Sequence, residues 1–278
     1  MNIAITGHRG LIGTALKKRL ESLGHDVVLA IDAREGLDID VLENITLGDT
    51  KIDLFIHMAD FCRINKTIKY PLLGHINGLH AYQVLEFCRK NNIPKVVQFS
   101  SSRVLSKEKN PYTAGKIYGE EMCKAYKDCY DIDYLILRPS TVYGPFWDAT
   151  ERLIHVFITN ALKGEDLVIY GDVDSKTLDF TYLSDFVDGV VLAIDNDNWN
   201  REYNISGGEE YNIHKLAKKV IEKTGSSSRI VVKDAETAQP QKINVDISAI
   251  KELGYSPKVS LEEGLDRCVE FYRDEINK

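Results

Sequence analysis

Tyr112 and Lys116 stand four residues apart in the segment YTAGK. On a helix that spacing puts both side chains on one face, so they point into the same site. A free phenol titrates at about 10 and is a poor base at neutral pH, but a neighbouring ammonium favours its anion. The pair is therefore a candidate proton acceptor for a substrate hydroxyl. Such a spacing is commonplace on helix surfaces; this one is singled out by the serine-rich strand end FSSS at 99–102 just before it.

A second chemical signal opens the chain. Directly after an apolar first strand comes GHRGLIG at 7–13. Glycines at Gly7, Gly10 and Gly13 allow a sharp turn, close approach of a pyrophosphate, and tight packing of helix on strand. The amides of Leu11, Ile12 and Gly13 then begin a helix whose positive end suits phosphate. A second apolar strand ends at Asp32, at the distance expected of a carboxylate that binds an adenosine ribose diol. Together these predict a dinucleotide site. Asp32 repels a ribose 2′-phosphate and favours NAD; Arg9 and Arg34 are placed to neutralise such a phosphate, so NADP stays open. An oxidised nicotinamide beside Tyr112 would favour the phenolate further.

Both signals need a scaffold that brings strand ends together. Apolar, partly β-branched runs at 2–6, 26–31, 54–58, 95–100 and 133–138 read as buried strands. Amphipathic stretches at 11–23, 41–47, 72–91 and 113–130 read as helices between them. The alternation predicts an α/β fold, a doubly wound parallel sheet of Rossmann type. After residue 145 the rhythm changes. Helices are expected at 151–163, from a Ser184 N-cap to about 195, at 213–224 and at 261–273, with short strands at 167–170 and 178–182. The expected organisation is a cofactor domain over 1–140, to which 179–206 returns, and a smaller C-terminal α+β substrate lobe from 141–178 and 207–278.

Bulk properties exclude several classes. The 278 residues carry a net charge of −7, which disfavours a broad nucleic-acid surface. Five cysteines without Cys-x-x-Cys spacing argue against disulfides or structural zinc and for a reducing cytoplasm. Seven scattered histidines give no metal motif. The opening MNIAITG reads as a strand, and no stretch reaches bilayer-spanning length, so no membrane partner is expected.

GHRGLIG, LDID at 37–40, IHMAD at 56–60, FSSS, YTAGK, RPSTVYGP at 138–145, DFTYLSD at 179–185 and LGYSPKVSLEEGL at 253–265 occur in the order seen in extended short-chain dehydrogenases. Over nearly its whole length the chain resembles the NAD-dependent epimerase/dehydratase family of sugar-nucleotide enzymes. The resemblance implies a trio of Ser101, Tyr112 and Lys116, with Ser102 next in line after Ser101 and touching substrate. It implies that Lys116 also holds the nicotinamide ribose, that Asp38 and Ile39 frame adenine, and that Met58 and Ala59 cross the pyrophosphate. Asn77, Ser100, Pro139 and Val142 match further cofactor positions. Helices 72–91 and 113–130 resemble the pair through which family members dimerise.

The chain departs from the family pattern in places. Ser102-Arg103 stands where dehydratases carry an Asp-Glu pair, so water elimination is disfavoured. Arg103 and Phe146 replace the Cys and His of fucose-synthase-like reductases. Leu178 and Gln239 replace arginines that grip the diphosphate, leaving Lys176 and Lys242 as substitutes, and Thr141 replaces an asparagine in the substrate site. The implied activity is a nucleoside-diphosphate-sugar 4-epimerase acting through a 4-keto intermediate. A 4-keto-sugar reductase or sugar-nucleotide dehydrogenase is the alternative, and a non-catalytic NAD-binding regulator a third reading from another class.

Overall fold

The computed structural model describes residues 1–148 and 150–278. Six parallel strands form the central sheet: β1 (Asn2–Thr6), β2 (Asp26–Ile31), β3 (Leu54–His57), β4 (Lys95–Phe99), β5 (Asp133–Pro139) and, from late in the chain, β9 (Arg201–Ile205). Their order is β2-β1-β3-β4-β5-β9. The chain passes from β1 to β2 on one side, then crosses to β3 on the other. A crevice therefore opens at the carboxyl ends of β1 and β3, where the winding reverses. The inner strands are almost continuously buried, as a parallel sheet covered on both faces requires.

One face is covered by α1 (Leu11–Ser22) and α6 (Leu183–Asp195), around Leu16, Leu20, Phe186 and Val190. The other face carries α3 (Leu72–Lys90) and α4 (Pro111–Tyr130), with Val84, Leu85, Cys88 and Cys123 pressed on Phe55 and Val96. A short α2 (Ile64–Lys69) leads into α3. The expected helix at 41–47 is instead a 3-10 stretch, Ile39–Asn44, capped by the Asp38 carboxylate, which accepts from the Ile39 amide at 2.7 Å. Ile39 and Leu42, three residues apart, both reach the core, and that step suits three residues per turn.

A third core belongs to the C-terminal lobe. Here α5 (Leu153–Lys163), α7 (Ile213–Thr224) and α9 (Leu261–Ile276) enclose Phe157, Leu216, Leu265 and Tyr272. A small sheet of β6 (Thr141–Tyr143), β8 (Thr177–Tyr182) and β10 (Glu210–Asn212) has the order β10-β8-β6, and β7 (Leu167–Tyr170) pairs in parallel with β11 (Ile230–Lys233). Of the stretch expected to return to the large sheet, α6 and β9 do so, whereas β8 stays with β6 and β10. Ile247, Ile250 and Tyr255, around α8 (Ser248–Glu252), also pack on the large-sheet core.

Ser184 does not cap α6. The helix starts two residues earlier, with Tyr182 in the N-cap position. Asp185 instead accepts from the Lys258 and Val259 amides at 3.0 and 2.9 Å, tying the C-terminal segment to α6. None of the described helices is long and apolar enough to cross a membrane.

Candidate active site

Tyr112 owes its position to a helix start. Asn110 accepts from the Thr113 amide at 3.0 Å, and the Thr113 hydroxyl accepts from the Asn110 amide at 3.0 Å, closing a reciprocal cap. Pro111 takes the first helical position, where a missing N–H costs nothing. Tyr112 thus sits in the first turn of α4, with Lys116 one turn deeper on the same face. Both are buried.

The Lys116 ammonium is held from two strand ends. It donates to the Phe99 carbonyl, at the end of β4, at 2.6 Å, and it is paired with the Asp60 carboxylate just beyond β3. Burial opposes the Lys116 charge, but Asp60 and the Tyr112 phenol outweigh it and raise its pKa. Burial likewise pushes the Asp60 carboxyl up, and Lys116 draws it only part of the way back. We read the pair as ammonium and carboxylate, because each charge is the other's direct partner in a buried site.

For Tyr112 the balance differs from the sequence-based expectation. Burial raises the phenol; Lys116 and the Ser101 hydroxyl lower it, and Asp60 and Cys62 add to the rise. The net direction is upward, so Lys116 alone does not make the phenol a ready base. Ser101 lies two residues past β4 in extended conformation and caps a 3-10 turn, Ser102–Leu105, its Oγ accepting from the Arg103 amide at 3.2 Å.

The dinucleotide cradle is built as its residue types require. Gly7 has φ +76°, and a Cβ there would stand 2.9 Å from the Ala59 nitrogen. At Gly13 a Cβ would meet the Gly7 carbonyl oxygen at 2.1 Å. The α1 N-terminus has no side-chain cap and no acidic residue in its first turn, so its amides are open to an anion. Asp32 is buried, and its carboxylate accepts from the Arg9 amide at 2.8 Å and the Arg34 amide at 3.0 Å. These residues fit a dinucleotide.

Cradle and trio line one cleft of about 800 Å³. Leu11, Ile12, Arg34, Asp38, Met58 and Ala59 are on its wall; so are Ser100, Pro139, Thr141, Val142 and Lys176. The Ser100 hydroxyl is committed elsewhere, donating to Glu120, which Arg138 holds in turn. Five expected residues lie off the wall, among them Lys242, which is exposed and paired with Glu210 at 2.8 Å. The Arg9 side chain is exposed beside Glu35 at 3.4 Å. Ile39 is in the core, and its amide is given to Asp38. Asn77 fastens the loop after β3, accepting from the Phe61 amide at 2.9 Å. Ser102 faces a small neighbouring recess.

The cleft also contains groups that sequence reasoning did not single out: Asp60, His80, Arg63, Asp148 and Arg152. Asp60 had a usable signal, standing just past a buried strand at the crevice of the sheet. Burial lowers the His80 pKa, against the pull of Asp38 and Asp60.

Residues 3–206 match the model of a family described as the NAD dependent epimerase/dehydratase family. A putative UDP-glucose 4-epimerase of Methanocaldococcus jannaschii is 28% identical, the match covering 98% of each chain. The UDP-glucose 4-epimerase of Thermotoga maritima, crystallised with UDP-glucose, superposes with a TM-score of 0.89 at 26% identity, over 99% of this chain and 100% of that one. A UDP-glucuronic acid 4-epimerase of Bacillus cereus, in complex with UDP-glucuronic acid and NAD, gives 0.85 at 25% identity, over 99% and 100%.

Proposed function

The chain belongs to the NAD dependent epimerase/dehydratase family, and on that premise we propose that it is a nucleoside-diphosphate-sugar 4-epimerase working through a transient 4-keto sugar. The observation that carries the reading is the meeting of Ser101, Tyr112 and Lys116 beside the dinucleotide cradle in one cleft. Gly7, Gly10, the α1 amides and Asp32 would hold NAD. When bound, NAD supplies the acceptor for the C4 hydride, the donor for its return, and a positive charge near the phenol.

The chain's own residues handle the proton. Tyr112 removes it from the C4 hydroxyl and gives it back after the keto sugar has turned over. Ser101 hydrogen-bonds the same oxygen as charge develops there. Lys116 stabilises the phenolate electrostatically and anchors the ribose. No acid beyond Tyr112 is needed, which suits a site with Ser102-Arg103 after Ser101. The lobe of α5, α7 and α9 is proposed to take the nucleotide, with Thr141 and Lys176 lining its sugar end.

We further propose a homodimer through α3 and α4, whose outer faces expose Leu72, Leu79, Tyr82 and Tyr118. Five free cysteines support a reducing, cytoplasmic setting.

The test is incubation of the purified enzyme with UDP-glucose and, separately, UDP-galactose. Interconversion without net NADH supports the epimerase. Product formed only in proportion to added NAD(P)H would replace it with the reductase reading.

A further inference from the structure

Four arginines line the cleft: Arg34, Arg63, Arg103 and Arg152. Three have acceptors in the protein. Arg34 donates to the Arg9 carbonyl, Arg63 to the Glu151 carbonyl, and Arg152 to the Asp148 carboxylate at 2.9 Å. Arg103 is different. Its amide serves the Ser101 cap, but among the described residues its guanidinium forms no ion pair and donates no hydrogen bond. Burial works against its charge, and only the neighbouring Tyr112 and Glu236 ease that cost, without direct contact. The guanidinium stays protonated throughout the working pH range. A permanent cation held in a partly desolvated wall without a counter-ion implies an anion brought by the ligand.

Position indicates which part of the ligand. Arg103 lies two residues past Ser101 and flanks Tyr112, the group proposed to face C4 of the sugar. In a pyranose the substituent on C5 is two bonds from C4, whereas C1, which carries the diphosphate, lies across the ring. Lys176 brings a second positive charge to the same corner, close enough for Arg103 to depress its pKa beneath the dominant effect of burial, with Glu236 compensating in part. A planar guanidinium fork matches a carboxylate in two-point contact.

Resting on the epimerase reading above, we propose that the substrate is a nucleoside-diphosphate hexuronate and that Arg103 grips its C5 carboxylate, setting specificity for an acidic sugar.

The test compares UDP-glucuronate with UDP-glucose on the purified holoenzyme, in the parent and in Arg103→Met and Arg103→Lys. The parent is expected to prefer UDP-glucuronate in kcat/KM by roughly 100-fold, the scale of a truncated, desolvated charge pair. Arg103→Met should shrink that preference ratio by a similar factor, and Arg103→Lys by less, because the charge survives without the fork. Retention of NAD by each variant reports on folding. A parent enzyme that handles UDP-glucose as well as UDP-glucuronate overturns the proposal whatever the variants do. So does an Arg103→Met variant whose ratio is unchanged while its affinity for UDP alone falls, since that assigns Arg103 to the diphosphate. Turnover of neither sugar would overturn the epimerase reading itself, and this inference with it.

Discussion

Gly10 and Gly13 of the first loop do different jobs, and alanine at each should separate them. At Gly13 an added Cβ would lie 2.1 Å from the Gly7 carbonyl oxygen and 2.7 Å from the His8 Cα. Both neighbours are backbone, so relief requires the start of α1 to move from the loop by about 1 Å, and overpacking of this kind typically costs about 1–3 kcal/mol. For a chain of this size that lowers Tm by roughly 2–10 °C. The same shift displaces the α1 amides from the pyrophosphate they are proposed to bind, and a misplacement of about 1 Å can cost on the order of 100-fold. Gly10 behaves otherwise. Its φ is −76°, and its Cβ would meet the Gly7 oxygen at an ordinary 3.4 Å. Gly10→Ala should leave Tm within about 1 °C, with less than about 0.5 kcal/mol lost, yet weaken NAD because the methyl occupies the pyrophosphate approach. Thermal melts of the cofactor-free protein and NAD titrations give both quantities. Equal melting of the two variants, or parent-like NAD affinity in Gly13→Ala, would refute the division of roles.

Four further outcomes are expected. Titration with NAD and NADP should show tighter NAD binding, because the buried Asp32 carboxylate is proposed to meet the adenosine ribose; equal or tighter NADP binding would move the role to Arg9 and Arg34. Asp60→Asn removes the partner of a buried ammonium and should destabilise the cofactor-free protein by about 3 kcal/mol or more. Asp60 raises the Lys116 pKa, so the stability it lends is present below the unfolded lysine value and lost as pH rises through the folded one; the loss should therefore show in melts at neutral pH. Asp60 also raises the Tyr112 pKa, so the acidic limb of the kcat/KM profile, where the phenol must lose its proton, should move to lower pH in Asp60→Asn. Light scattering at micromolar protein should report a dimer, and a monomer alone would reject the α3–α4 interface.

The strand–glycine–helix opening and the Tyr112–Lys116 spacing were legible in the sequence because both are local patterns with a fixed geometric consequence. The five leading strands were legible for the same reason: each is a short, mostly apolar run, although β2 at the sheet edge is buried only at Ile31. The sixth strand was harder to see, since REYNI alternates exposed and buried positions at the sheet edge and enters from a distant part of the chain. The fate of individual side chains was the least legible. Asp60 turning inward to Lys116, Ser100 turning away to Glu120, and Ile39 sinking into the core each depend on a neighbour many residues away. The upward shift of Tyr112 depends on how deeply α4 is buried, a property that spacing does not encode.

The central claim is that the Tyr112 phenol carries the proton. Tyr112→Phe keeps the ring and its packing while deleting that group. Steady-state turnover of the sugar nucleotide that the parent converts, measured beside NAD retention and thermal melting, tests it most directly. Folding and NAD binding should be unchanged, with turnover lowered by roughly two to four powers of ten. Turnover equal to that of the parent would contradict the claim.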